Sequence, residues 1–277
     1  MDAANLQRLV DEIKTYFSRD SRFYYRGHIA SGRFGVAHRV QYRQNENGFI
    51  YVTDFLVKTA HKNSEAEGDM ENEKAYLKRL RGGAHIVQLI DVPDDPLTKY
   101  KFEEQWKFLI LEWVPNGTLC EFIFKARNFG CSQLPNRLLW RFFLCLISGL
   151  CGLAWPRNRQ GGRVEIETPM PWEQEGNVHN DLHTGNVLLG DFDDSREHGF
   201  TPVLKIIDFG KSFRVEEEDL LVANEANLWD VGHMTKLKQA GLLSRFNTAA
   251  NRYGREPIQF FHAPVEGLFR SHGLTNS

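Results

Sequence analysis

VHNDLHTGNVLL, residues 178–189, sets a carboxylate and a carboxamide, Asp181 and Asn186, into a frame of Val178, Leu182, Val187, Leu188 and Leu189. Burying polar groups among apolar ones is costly unless they are bonded or put to use. The stretch therefore reads as a turn after a strand, with Asp181 able to accept a proton from, or orient, an attacking hydroxyl. Asn186 can turn back to ligate a metal. Downstream, VLKIIDFG (203–210) delivers Asp208 at the end of an apolar strand, just ahead of Gly210, which permits a sharp turn. Two oxygen donors, Asn186 and Asp208, suit Mg²⁺, which keeps several waters and takes its remaining ligands from phosphates.

Upstream, IASGRFGVA (29–37) places Gly32 and Gly35 in a β-hairpin turn with Phe34 between them. Glycines let backbone N–H groups approach phosphate oxygens without a Cβ in the way. Taken alone, the same residues also suit a hairpin with no ligand. Lys58 ends the strand-like run FIYVTDFLVK, and the helical stretch MENEKAYLKRL (70–80) follows. Met70, Leu77 and Leu80 share one face of that helix by spacing, and Glu73 falls in the middle of it. An inward carboxylate needs a cation. Lys58 is the nearest candidate, and the pair would aim its ammonium at nucleotide phosphates.

The 277 residues suffice for one large domain or two small lobes around a cleft. An N-terminal helix occupies 1–22, with Leu6, Leu9, Val10, Ile13 and Phe17 on one face. Short strand-like runs then fill 23–111, among them IVQLIDV (86–92), with RQNENG (43–48) as a hairpin tip. After Pro115-Asn116-Gly117 the pattern turns helical, with helices at 136–155 and 225–240 and short strands at 187–190 and 203–207. LLWRFFLCLISGLCGLAW (138–155) approaches the length of a membrane span but carries Arg141, so it reads as a core helix and no span is expected. The polar stretches 156–176 and 191–202 read as surface loops, the first long enough to contact a partner. A net charge of -2 gives no field to hold nucleic acid or an anionic membrane. Four cysteines without a C-x-x-C pair fit a reducing compartment, cytoplasm or nucleus.

The order of a glycine loop, V-K, a helix glutamate, H-N-D-L-H-T-G-N and D-F-G resembles the protein kinase family. The resemblance runs from about Phe23 to about Gly232; HIVQL (85–89), ILEWVPNGTL (110–119) and NLWDVG (227–232) look like family segments too. It implies an α+β, bilobal protein-kinase-like fold with a β-rich N-lobe (23–113), an α-helical C-lobe (114–277, abbreviated at its end) and an ATP cleft between them. By the same resemblance Ala30, Gly32, Phe34 and Gly35 form the phosphate flap. Lys58 holds the α- and β-phosphates with Glu73 as its partner, and Leu111 is the gatekeeper. Glu112 to Val114 offer backbone groups to adenine, Asp181 is the catalytic base, and Asn186 and Asp208 hold Mg²⁺. The implied partners are ATP and a protein hydroxyl, most simply of Ser or Thr.

Several positions depart from the family pattern. Ala30 replaces the first glycine of the loop. Asn180 stands where most protein kinases carry an arginine that receives a phosphorylated activation segment, and only 16 residues separate Gly210 from Asn227, with Ser212 as their single hydroxyl. His183 takes the place of a lysine that touches the transferred phosphoryl, and a histidine can still donate to phosphate. This H-x-D-L-H-x-G-N form is common in small-molecule kinases such as aminoglycoside phosphotransferases. Asn227 replaces the aspartate that anchors the catalytic loop. Two other readings therefore stay open beside the protein kinase: a small-molecule kinase, and an ATP-binding pseudokinase scaffold.

Overall fold

The computed structural model describes residues 3–131, 134–156, 163–170, 174–192 and 198–234. They divide into two compact units. The first takes in the described residues of Met1–Lys78, Val87–Val114 and Phe209–Lys211; the second takes in those of Arg79–Ile86, Pro115–Asp208 and Ser212–Ser277.

In the first unit, α1 (Ala3–Phe17) precedes β1 (Phe23–Ser31), β2 (Gly35–Glu46) and β3 (Phe49–Ala60), followed by α2 (Ser64–Arg79), the single turn α3 (Pro96–Lys99) and β4 (Phe108–Glu112). The strands form one antiparallel sheet in the order β1-β2-β3-β4. Its tightest turn is Asn47-Gly48, both at positive φ (52° and 84°), the two-residue geometry whose twist matches flanking strands. Phe55 and Val57 of β3, Val36 and Val40 of β2 and Ile110 of β4 form a core with Leu9, Ile13 and Phe17 of α1. The N-terminal helix is thus part of this unit's core. Because strand side chains alternate, Lys58 points away from the face that buries Phe55, Val57 and Thr59.

Helix α2 and the run 86–92 differ from the sequence expectation. Helix α2 begins at Ser64, ahead of Met70, because the Asn63 side chain accepts the Ala66 N–H at 2.9 Å and Glu65 and Glu67 lie in the first turn. The run 86–92 is no strand: Ile86 makes a lone bridge to Ile206 in the second unit, and Leu89 makes one to Leu111 in the first. A segment that changes partner after three residues builds no ladder.

The second unit holds α4 (Leu119–Asn128), α5 (Asn136–Ala154), β5 (Gly176–Val178), β6 (Val187–Leu189), β7 (Leu204–Ile206), β8 (Phe213–Val215) and α6 (Leu220–Met234). Strands pair as β5 with β8 and β6 with β7. At the Pro-Asn-Gly corner, Gly117 adopts φ 76° and Thr118 caps α4 in a reciprocal box with Glu121. Helix α5 is the one helix among the described residues long and apolar enough to cross a membrane, and its C-terminal half is core from Cys145 onward except Ile147. Gly149 and Gly152 let it press close: a Cβ at 149 would meet Ile206 Cδ1 at 2.6 Å. Trp155 is buried, whereas Trp229 is 60% exposed. Helix α6 starts earlier than expected, and its extension to 240, like the abbreviated end of the chain, lies outside the described residues.

Candidate active site

Lys58 Nζ lies 2.6 Å from Glu73 Oε2, and Glu73 is 2% exposed. Strand β3 delivers the lysine, and the buried face of α2, Met70, Tyr76 and Leu77, delivers the glutamate. The two glycines of the β1–β2 turn have different reasons to be there. A Cβ on Gly35 would sit 2.4 Å from the Thr59 carbonyl oxygen, so strand packing requires glycine. At Gly32 the nearest atom would be 4.0 Å away, so packing does not require it and the space is open to a ligand. Ala30 pairs with Ala37, one step before the ladder ends at Ser31 opposite Val36. Phe34 lies beneath the ammonium of Lys211, 4.4 Å from its ring centroid. Lys211 also pairs with Asp69 (2.8 Å) and Glu65 (3.2 Å) of α2, and Asn72 of that helix donates to the Gly210 carbonyl at 2.9 Å. The residues after Asp208 are thereby tied to the helix that carries Glu73. At the end of β4, Leu111 is buried, and both the N–H and the carboxylate of Glu112 bond Gln88 (2.9 Å each). Val114 is buried two residues on.

In the second unit, Asn186 uses its Nδ2 to donate to the Asp181 carbonyl (2.8 Å) and carboxylate (3.2 Å). That amide can then present only its oxygen to a cation. Strands β6 and β7 pair Val187 with Ile206, and Ile207 N–H donates to the Asn186 carbonyl at 3.0 Å, so Asn186 lies across from the neighbour of Asp208. An amide oxygen and a carboxylate on adjoining strand ends are the hard donors Mg²⁺ takes. Asn180 and Asp208 both hold left-handed backbone (φ 64° and 66°), a conformation costing a non-glycine residue roughly 1–2 kcal/mol. Such strain persists where surrounding bonds over-determine it.

His179 supplies those bonds. It is fully buried; its Nε2–H donates to the Ile207 carbonyl at 3.0 Å, and its Nδ1 accepts the Asp181 N–H at 3.3 Å. Burial pushes its pKa down to about 4 against the opposing pull of the Ile207 carbonyl, so the ring is a neutral brace between the loop of Asp181 and the strand of Asp208. His183 caps its own turn by accepting the Gly185 N–H at 3.0 Å, with Nε2 3.8 Å from Asp181 Oδ1.

Asn227 of α6 does more than stand in for an aspartate. Its Oδ1 accepts the His179 N–H at 3.0 Å and its Nδ2 donates to the Asn177 carbonyl at 2.9 Å, in a site 3% exposed. A carboxylate could make the first bond but not the second. Asn227→Ala is expected to cost about 2–3 kcal/mol, lowering the thermal midpoint by roughly 5–10 °C, because two buried backbone groups lose their partner. Asn227→Asp should also destabilise, by placing a carboxylate against a carbonyl; thermal melts of both variants check this.

The sequence profile described as "Protein tyrosine and serine/threonine kinase" matches residues 24–235, most of the chain. The chain belongs to the protein kinase family. A member of that family from Arabidopsis thaliana, "Calcium-dependent protein kinase 27", is 22% identical over 244 residues, covering 85% of this chain and 41% of that protein. The chain thus spans less than half the length of that relative. The kinase family's bilobal α+β fold accounts for the sheet-rich first unit and the helix-rich second. Within this chain, Asn72 and Lys211 were not apparent from the sequence; both are ordinary polar residues whose partners lie far off in sequence. The acidic first turn of α2 was the available signal for Lys211.

Proposed function

We propose that this chain is an ATP- and Mg²⁺-dependent phosphotransferase that moves the γ-phosphoryl of ATP to a serine or threonine hydroxyl of a protein. The observation that carries this reading is the assembled Lys58–Glu73 pair, 2.6 Å apart with the glutamate buried. A fold with no phosphates to hold has no need to keep that charge in the core, so the pair supports nucleotide binding, and transfer is supported by Asp181, Asn186 and Asp208, which follow it in the family order. In the proposal Lys58 binds phosphate oxygens, with Gly32 leaving room for a backbone approach, while the backbone from Glu112 to Val114 reads adenine. Asp181 orients and deprotonates the acceptor hydroxyl, Asn186 and Asp208 hold Mg²⁺, and His183 donates toward the transferred group. When bound, the ion neutralises charge on the phosphates; the chain's own residues position the acceptor and take its proton.

Lys211 supports activity without phospho-switching: it ties Glu65 and Asp69 of α2 to the segment after Asp208 with side-chain charge alone. The four free thiols accord with a cytoplasmic or nuclear address. The small-molecule reading draws on His183, whose side chain is 57% exposed. The deciding assay incubates purified chain with Mg²⁺ and γ-labelled ATP against protein and metabolite hydroxyl panels in parallel. Label on serine or threonine is the expected result. Label confined to metabolites moves the assignment to a small-molecule kinase, and ATP-dependent thermal stabilisation with no acceptor labelled moves it to a scaffold.

A further inference from the structure

Apart from the candidate active site, the second unit buries a group of side chains that phosphoryl transfer does not use. His85, Cys145 of α5 and His198 are all buried, and one donor atom from each lies within 4.8 Å of the other two. Cys145 Sγ is 4.0 Å from His198 Nδ1, and the rings of His85 and His198 have centroids 5.3 Å apart. Behind His85 stands Glu167, 4% exposed. It accepts the His85 ring at Nδ1 (2.6 Å) with one oxygen and the His85 backbone N–H (2.8 Å) with the other. The carboxylate sits in a recess made by two glycines: a Cβ on Gly83 would lie 2.5 Å from its Oε1, and one on Gly152 would lie 3.0 Å from its Cγ. With Nδ1–H held by Glu167, the neutral ring that a metal would bind carries its lone pair on Nε2, a buried atom.

We propose that His85, Cys145 and His198 form a zinc site, with Glu167 as the carboxylate that fixes the tautomer and orientation of His85. A carboxylate on the far nitrogen of a ligating histidine is the usual support for bound metal. One thiolate with two imidazoles is a borderline-soft donor set, suited to zinc, and it leaves a fourth tetrahedral position for water or another ligand. Charge also closes: Zn²⁺ is balanced by one thiolate and the Glu167 carboxylate, leaving no net charge in a buried site. Tetrahedral bonds would set the donor atoms roughly 3.3–3.6 Å apart, so atoms now within 4.8 Å of one another draw in by at most roughly 1.5 Å. The ion would tie α5 to the segment of His85 and to the chain at 198 and 167, all within the second unit.

The test uses the full chain, purified without chelator, and zinc alone as the probe. Elemental analysis should find about one zinc per chain, or titration into metal-free protein should load one, and Co²⁺ in its place should show thiolate-to-metal charge-transfer absorption. At zinc 100-fold above its Kd, the thermal midpoint should exceed that of the metal-free chain by roughly 5–10 °C. Glu167→Gln should weaken zinc binding about 10–100-fold, while Cys145→Ser should abolish the charge-transfer band. A folded wild-type chain that takes up no zinc overturns the proposal, as does a cobalt spectrum without the thiolate band, isolation with copper in place of zinc, or unchanged affinity in Glu167→Gln. None of these readouts uses phosphoryl transfer, so failure here and failure of the phosphotransferase reading are separately visible.

Discussion

Asp181→Asn should lower phosphoryl transfer by about 10²–10⁴-fold, the range set by removing a positioned general base, and leave the fold intact. The side chain is 45% exposed; of the two bonds that anchor the Asn186 amide, the shorter runs to the Asp181 backbone carbonyl, which the substitution preserves, and the other runs to a side-chain oxygen that Asn also offers. The thermal midpoint is accordingly expected to move by no more than about 2 °C. Initial rates at saturating Mg-ATP, read beside a melt, check both halves. Undiminished rates in a folded variant would remove Asp181 from the role of base. The neutral brace beneath it, His179, predicts that Asn in place of Asp keeps the loop geometry, since His179 Nδ1 accepts the residue-181 N–H whatever its side chain.

Lys58→Met should act on stability as well as on rate. Removing the ammonium leaves the Glu73 carboxylate, 2% exposed, without the cation now 2.6 Å away. Breaking one side of such a pair costs on the order of 3 kcal/mol, which in a chain of this size lowers the midpoint by roughly 6–12 °C. Loss of the phosphate contact should reduce transfer by about 10²–10³-fold in addition. Replacing both partners, Lys58→Met with Glu73→Leu, should recover most of the stability and none of the activity, because the buried charge disappears along with its partner. Denaturant melts of the wild type, both single variants and the double variant measure the coupling directly. Equal stability of Lys58→Met and wild type would show that Glu73 is held by other groups and that the pair is dispensable.

Legibility in the sequence followed the range of the interaction. Two strands joined by a hairpin tip at 43–48 were readable because turn chemistry is local, although the ladder runs on through Glu46 and leaves only Asn47-Gly48 as the turn. Glu73 could be found because three apolar residues on its own helix define the face it shares. The run 86–92 misled for the same reason: its apolar content is that of a strand, but its partners change within a few residues, which local pattern does not record. Likewise the stretch 156–176 looks like a polar surface loop, yet Glu165 N–H donates to the Gly82 carbonyl and Glu167 is buried on His85.

Order and chemical identity along the chain were enough to nominate Lys58, Glu73, Asp181, Asn186 and Asp208, since each interrupts or ends an apolar element where a polar group is conspicuous. Only the tertiary structure decided that Glu73 meets Lys58, that Asn227 holds both His179 and Asn177, and that Lys211 grips α2. It alone brought His85, Cys145, His198 and Glu167 into one buried cluster. Those partners come from segments separated by long stretches of chain. Hydrogen bonds and ion pairs act over a few ångströms in space, and spacing in sequence carries no measure of that distance.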